Sequence, residues 1–508
     1  MQTTRAGGWY HGAGVLSAIG VVVPRRPEKF RTEIGDFVER ERERGVRWGW
    51  GVGGDQIGVK LQVEAYFELT FSATPSQTLE PLLKYCDAIM ESLPDAIVQY
   101  ILSHMNNAKD VASCICVSKR WKDSIPYLRS LFFPRNLLDN LTGENTPDAV
   151  VRQMISSIAE LEELVVYCPF SSDGLGSWLS ITGSSLKNLE LRMDNIIPHH
   201  NSTEIPSKLD RIRSAWNLES LKLWGVLMID SPQWDVFLRL RNLEIVGARL
   251  KDIALSDALC ACPNLTHLLL LGCEGLKSVS IELPHLEHCK LDFYGNGNCS
   301  LLLNSPKLES LEVQGCSLIR AHETRCLKNL SIANNTGRVY MVDFGKLVAL
   351  ESLAMRGVQW CWDAISKMLQ MASEVKKLYM KVEFTGDFEE LMPFPEIDFV
   401  DFFNSHPKLQ TFDIHGAMFA ALCQKNSLKN VDSRFSIPCL EKVMITVRSP
   451  LNAEQKMNTL ESLVIYAKNL KKMTIKILQM KSSHSSADDF FEDICRFRYM
   501  NRKIVSIE

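Results

Sequence analysis

The side chains of this 508-residue chain best able to do chemistry are its fifteen cysteines and eleven histidines, and their spacing decides which chemistry is open. Cys114/Cys116 and Cys260/Cys262 form C-x-C pairs, but neither has the second Cys or His pair that a structural zinc site needs. The cysteine count is odd and many cysteines sit in apolar runs such as Leu268 to Cys273, the pattern of buried thiols in a reducing compartment. His199-His200 offers two adjacent side chains that diverge, a poor start for a metal site. Nowhere does a phosphate-cradling G-x-x-x-x-G-K-[ST], a G-x-S-x-G elbow or an H-E-x-x-H helix occur. No catalytic residue, metal site or cofactor is expected.

The elements around these residues must therefore serve binding. Lys plus Arg number 57 against 60 Asp plus Glu, so net charge gives no reason to expect nucleic acid or an anionic membrane as partner. No apolar run approaches the roughly 18 to 20 residues of a membrane helix. GVLSAIGVVV at 14–23 looks like a signal-peptide core, yet only Arg5 precedes it and no small-residue cleavage site follows. The expectation is a soluble cytoplasmic or nuclear protein whose partner is a protein or a small molecule. Its length exceeds one ordinary core, so several domains or a repeat array are expected.

Residues 1–85 carry glycine patches and an alternating Glu/Arg run at 39–44 without steady periodicity, the texture of a poorly ordered extension, with Met90 a candidate natural start. Residues 86–140 read as a compact helical module. Leu93-Pro94-Asp95 opens it, Pro94 presetting the first turn. Ile97, Ile101 and Leu102 then recur at helical spacing as one buried stripe. Asn106-Asn107 breaks the helix, and a second begins near Ala108 and runs toward Trp121.

This stretch resembles an F-box in three places: Leu93-Pro94-Asp95, the I-x-x-x-I-L run from Ile97 to Leu102, and V-S-x-x-W from Val117 to Trp121. Lys109-Asp110-Val111 departs from the family, which more often has an apolar residue first. The resemblance implies docking onto a Skp-type adaptor and, through it, a cullin-RING ubiquitin ligase. Leu93, Pro94, Ile97, Ile101, Leu102, Val117 and Trp121 are its candidate adaptor contacts or their support. The same side chains also fit the alternative of filling the module's own core, Trp121 above all. With no RING-type Cys/His ladder in the chain, ubiquitin transfer would fall to a partner enzyme.

Across 141–468 an L-x-x-L-x-L pattern returns, and with Leu470-Met473-Ile475 it makes thirteen repeats, from Leu161-Leu164-Val166 onward. First anchors step by 19 to 34 residues, centred on the range of about 20 to 29 for leucine-rich repeats. One strand per repeat cannot bury its apolar edge alone, but stacked neighbours make a continuous core and a parallel sheet. The fold expected is thus α/β: a small helical module followed by a curved leucine-rich-repeat solenoid. Cys273, Cys316 and Asn335, three residues past the last anchor, fit the N/C position that satisfies turning backbone.

Binding would fall to residues between and after the anchors. Trp224, Tyr294, Arg356, Trp360, Tyr379 and His415 are candidate target contacts, with His267, Asp292 and Lys381 beside them. Trp224 and Trp360 also fit a role inside the core. Residues 469–508, with Asp488-Asp489-Phe490-Phe491 and Arg496-Phe497, resemble the FBD segment of many plant F-box proteins, and imply a strand and a short helix near 489–496 that cap the array. The leading reading is a non-catalytic ligase subunit that holds an unknown target protein. The alternatives are a repeat scaffold without a ligase role, and a small-ligand site near Arg356, Tyr379, Lys381 and His415.

Overall fold

The computed structural model describes residues 94–508 apart from 116–117, 137–145, 195–206, 296, 385–394, 426–433 and 479–485. Leu93, Val117 and His199-His200 lie outside the described residues, as does the extension at 1–85. The chain divides into two compact units, one reaching Ala215, the other comprising Arg192–Asp194 and Trp216–Glu508.

The first unit opens with helices α1 (Asp95–Ser103), α2 (Ala108–Ile115) and α3 (Lys119–Ser124), a 3-10 turn (Ile125–Tyr127) and strand β1 (Ser130–Phe133). Then come α4 (Pro147–Ile155), β2 (Glu163–Val166), α5 (Ser172–Thr182), β3 (Asn188–Arg192) and α6 (Lys208–Arg211). Local chemistry starts these helices. Ser118, Thr146 and Ser171 accept backbone N–H bonds at the N-termini of α3, α4 and α5, and Ser207 with Asp210 forms a reciprocal capping box on α6. Strands β1, β2 and β3 pair in parallel, Leu131 opposite Leu164 and Leu164 opposite Leu189.

The second unit is a parallel sheet of β4 (Ser220–Trp224), β6 (Asn242–Val246), β8 (His267–Cys273), β10 (His288–Phe293), β12 (Ser310–Gln314), β14 (Asn329–Asn334) and β16 (Ser352–Trp360). It continues through β17 (Lys377–Phe384), β18 (Thr411–His415), β19 (Lys442–Val447), β20 (Lys472–Ile477) and β21 (Val505–Ile507), each beside the next. The central anchors lie side by side from Leu221 and Leu243 through Leu268 and Cys289 to Val443 and Met473. Every anchor of the thirteen repeats is buried, none more than 7% exposed, so the L-x-x-L-x-L reading and the sheet agree strand for strand.

What lies between the strands follows the length available. Steps of 25 residues or more carry a helix: α7 (Asp252–Cys260), preceded by the short strand β7 (Arg249–Leu250), α8 (Trp362–Met371), α9 (Phe399–Ser405), α10 (Gly416–Gln424) and α11 (Ala453–Tyr466). Steps of 23 or fewer carry only a strand: β5 (Leu227–Met228), β9 (Ser278–Glu282), β11 (Cys299–Asn304), β13 (Cys316–His322) and β15 (Met341–Asp343). A helix needs about 10 residues besides its two turns, and a return strand needs about five. Those longer return strands form a second parallel sheet in the order β15-β13-β11-β9.

Two expectations are corrected here. The buried asparagine is Asn334, not the exposed Asn335. Asn334 Nδ2 donates to the Gly297 and Cys316 carbonyls at 2.7 and 3.1 Å, while its Oδ1 accepts from Gly337 N at 2.8 Å. Gly297 is required beside it, since at φ +62° a Cβ would stand 2.4 Å from Gly337 N. Trp360 is fully buried, because a register irregularity after Gly357 turns it inward, where its Nε1 donates to the Arg356 carbonyl at 3.0 Å. It belongs to the core and cannot touch a target.

The chain ends in α12 (Ser486–Met500), which buries Phe490, Ile494 and Phe497, followed by β21 on the outer side of β20. The helix is longer than the short one expected near 489–496, and the closing strand has too little pattern to be read from sequence.

Candidate functional site

The helical hook is built around Val98, Leu102, Val111, Cys114, Trp121 and Ile125, all 3% exposed or less. The expected single stripe on α1 is two. Val98 and Leu102 face inward, while Ile97 and Ile101, one position earlier on the helix, stay half-exposed beside the exposed Pro94 and Tyr100. Leu102 and Trp121 are therefore core, and Pro94, Ile97 and Ile101 are the candidate contacts that remain at the surface. Arg120 on α3 reaches back to Asp95 at 2.5 Å, tying the first turn of α1 to α3. Trp121 Nε1 has no hydrogen-bond partner among the described residues.

The hook is joined to the repeats by backbone. Phe132 N donates to the Asn106 carbonyl at 2.6 Å, between α1 and α2, while β1 pairs with β2 along its whole length. Ser130 Oγ donates to Glu163 at 2.6 Å, and Arg129 and Lys187 both pair with Glu162. The Lys187 hydrogen bond above all, with the Lys187 and Arg129 charges, lowers the Glu162 carboxyl against the opposing effect of burial. Leu128-Leu131-Phe133 is thus a further repeat, overlooked in the sequence because it falls inside the helical module.

The second candidate surface is the exposed face of the sheet in the second unit. Arg356, Tyr379, Lys381 and His415 come together on β16, β17 and β18: Arg356 lies opposite Lys381 and Tyr379 opposite Asp413. Asp413, which sequence reasoning missed, is the centre of the group. It is 6% exposed and lies 3.4 Å from Lys381 Nζ and 3.3 Å from His415 Nε2. Burial pushes its carboxyl up, but hydrogen bonding to His415 and the Lys381 charge outweigh it and hold the group below the usual range. A carboxylate at a sheet-face position between two apolar anchors was the available signal.

Trp224 and Tyr294 are not part of this group. Trp224 is half-buried on β4, six strands from β16, with Lys222 Nζ 4.8 Å from its ring centroid. Tyr294 is exposed just after β10, three strands away. His267 and His288 stack at 4.7 Å, and burial, with the neighbouring ring, lowers His267. The buried thiols are quiet: burial lifts Cys168, Cys262, Cys289 and Cys423 to about 12. Among the described residues no cluster of three or more His, Cys, Asp or Glu could hold a metal, and no helix is long and apolar enough to cross a membrane.

Comparison with known proteins bears on the hook first. A family model for F-box-like domains matches residues 90–132. An F-box protein of Arabidopsis thaliana is 65% identical over 419 residues, covering 82% of this chain and 100% of that protein. An F-box/LRR-repeat protein of the same plant is 25% identical over 334 residues, covering 59% of this chain and 73% of its own length. The likeness of residues 469–508 to an FBD segment rests on their sequence alone. With its hook matched and a relative aligned over that protein's full length, the chain belongs to the F-box protein family.

Proposed function

We propose that this protein is the substrate-recognition subunit of a Skp-cullin-F-box E3 ubiquitin ligase. The hook grips a Skp-type adaptor through Pro94, Ile97 and Ile101, supported from within by Leu102 and Trp121. Leu93 and Val117 join them on the family resemblance. The sheet face holds the target protein. The observation that carries the reading is the split stripe on α1, where two isoleucines stay half-exposed while their neighbours Val98 and Leu102 are buried. A module that only filled its own core would have no use for them.

No residue of this chain has to react. Holding a target lysine near the charged conjugating enzyme raises its effective concentration, which is the whole of the catalysis required. Within the first unit the hook is joined to the first repeats by backbone, through β1, rather than by a linker. The protein would work where these ligases do, in cytoplasm or nucleus.

The test is capture of a purified Skp-type adaptor by the full-length chain and by an Ile97→Asp/Ile101→Asp variant. Leu302→Asp, a change at an exposed residue of β11, serves as control. The double variant loses about tenfold or more in affinity while its circular dichroism is unchanged, as expected for desolvated anchors of an interface. Undiminished binding by the double variant overturns the reading.

A further inference from the structure

The exposed face of the second unit's sheet is not electrically uniform. On each strand, side chains on this face alternate with the buried anchors. From β4 to β14 the charged residues there are Lys222 and Lys290 against Glu244, Asp292 and Glu312. Both lysines are answered one strand on, Lys222 by Glu244 at 3.2 Å and Lys290 by Glu312 at 2.8 Å. From β16 to β20 the corresponding positions hold Arg356, Lys377, Lys381, Lys442, Lys472 and Lys476 against two carboxylates, Asp413 and Glu383, the latter paired with Arg448.

Asp413 is engaged by Lys381 and His415, and Lys476 by Glu508 at 3.1 Å. Arg356, Lys442 and Lys472 are exposed and have no ion-pair partner among the described residues. Beside them lies a buried hydroxyl without a hydrogen-bond partner among the described residues, Thr446 Oγ1, with Thr446 only 2% exposed and opposite His415 in register. A repeat array requires neither feature, since its anchors alone build the core. Unanswered cations next to an unpartnered hydroxyl suit an anionic ligand that supplies the missing acceptor.

We propose that the face of β16 to β20 is the docking surface for the target, and that the segment it takes is an acidic peptide stretch. Its carboxylates or phosphates pair with Arg356, Lys442 and Lys472, while the Thr446 hydroxyl hydrogen-bonds it between them. Asp413 acts as a positioning residue that holds Lys381 and His415 upright. Four interstrand spacings of about 4.8 Å make roughly 19 Å, the reach of about six extended residues. The chain as a whole carries a formal charge of -3, so a strip confined to five strands serves selection of a peptide rather than general attraction of polyanions. The proposal rests on the reading of the repeats as the target-holding surface.

The test is fluorescence anisotropy of the full-length chain with a labelled peptide of six glutamates among serines. Its glutamine counterpart, a version with two phosphoserines, a single-stranded oligonucleotide and phosphatidylserine vesicles are measured at the same ionic strength. The account expects the glutamate peptide to bind about tenfold or more tighter than the glutamine peptide, weakening as salt rises. That binding should be lost in Arg356→Glu/Lys442→Glu/Lys472→Glu and kept within about twofold in Lys222→Glu, which reverses a charge on β4. Tighter binding of the phosphoserine peptide identifies phosphate as the preferred anion, and equal binding identifies carboxylate; both support the proposal. Equal affinity for the glutamate and glutamine peptides, retention by the triple variant, or preference for the oligonucleotide or vesicles overturns it. Adaptor capture on the same preparations separates the two readings: if it succeeds while peptide binding fails, only the docking surface falls, and the reverse result removes only the ligase role.

Discussion

Single side chains decide more in this protein than their number suggests, and Asp413 and Asn334 show how. Asp413 has a folded-state carboxyl below the ordinary range, so it stabilises the fold at pH values above its unfolded pKa of about 3.9 and loses that contribution as pH falls through the acid range. Asp413→Asn should therefore lower the melting temperature at neutral pH by the equivalent of about 1 to 2 kcal/mol, and the gap to wild type should close toward pH 3. A pH series of thermal melts reads this directly, and a gap independent of pH would remove the charge from the explanation. Asn334 satisfies two backbone carbonyls and one N–H in a closed interior, so Asn334→Ala should cost about 2 to 4 kcal/mol, against less than about 0.5 for its exposed neighbour in Asn335→Ala. Denaturant unfolding of the two variants side by side checks the assignment. Position three past the last anchor was legible as a place for Asn or Cys, and Cys273 does bond the Ile245 carbonyl at 3.7 Å there. In the repeat of Ile332 the ladder bends one residue sooner, a shift that anchor spacing alone does not encode.

At the scale of elements, spacing between anchors told strand from helix in the return legs, although only the strands were read beforehand. The thirteen anchored strands were legible because each repeats the same three-residue demand on a buried edge. The two outer strands were not. β1 carries Leu128-Leu131-Phe133 but hides behind three helices, and β21 offers only Val505 and Ile507. On α1 the helical period was plain, yet Val98, the most deeply buried residue of the helix, was passed over for Ile97 and Ile101, since apolar neighbours on adjacent faces look alike in sequence. β21 covers the outer edge of β20 and α12 packs against α11 and β21, so truncation after Leu478 should expose that edge and the surface under Phe490 and Phe497. Light scattering of the truncated chain is expected to reveal self-association that the full chain lacks at equal concentration; a monodisperse, fully folded truncation would show that the last element is dispensable.

For the whole molecule, two surfaces must act in one protein: a hook with apolar residues left at the surface, and a sheet face with cations left unanswered. The hook was visible in the sequence as a motif and the sheet as a repeat, whereas the group around Asp413 needed the register that sets β16 beside β17 and β17 beside β18. The most direct test of the central claim is stepwise reconstitution. Full-length chain, mixed with a Skp-type adaptor and then with cullin and RING subunits, is predicted to elute as one complex, and Ile97→Asp/Ile101→Asp to elute apart from a preformed adaptor-cullin assembly. A folded wild-type chain that elutes apart from the adaptor at micromolar concentrations of both would contradict the account.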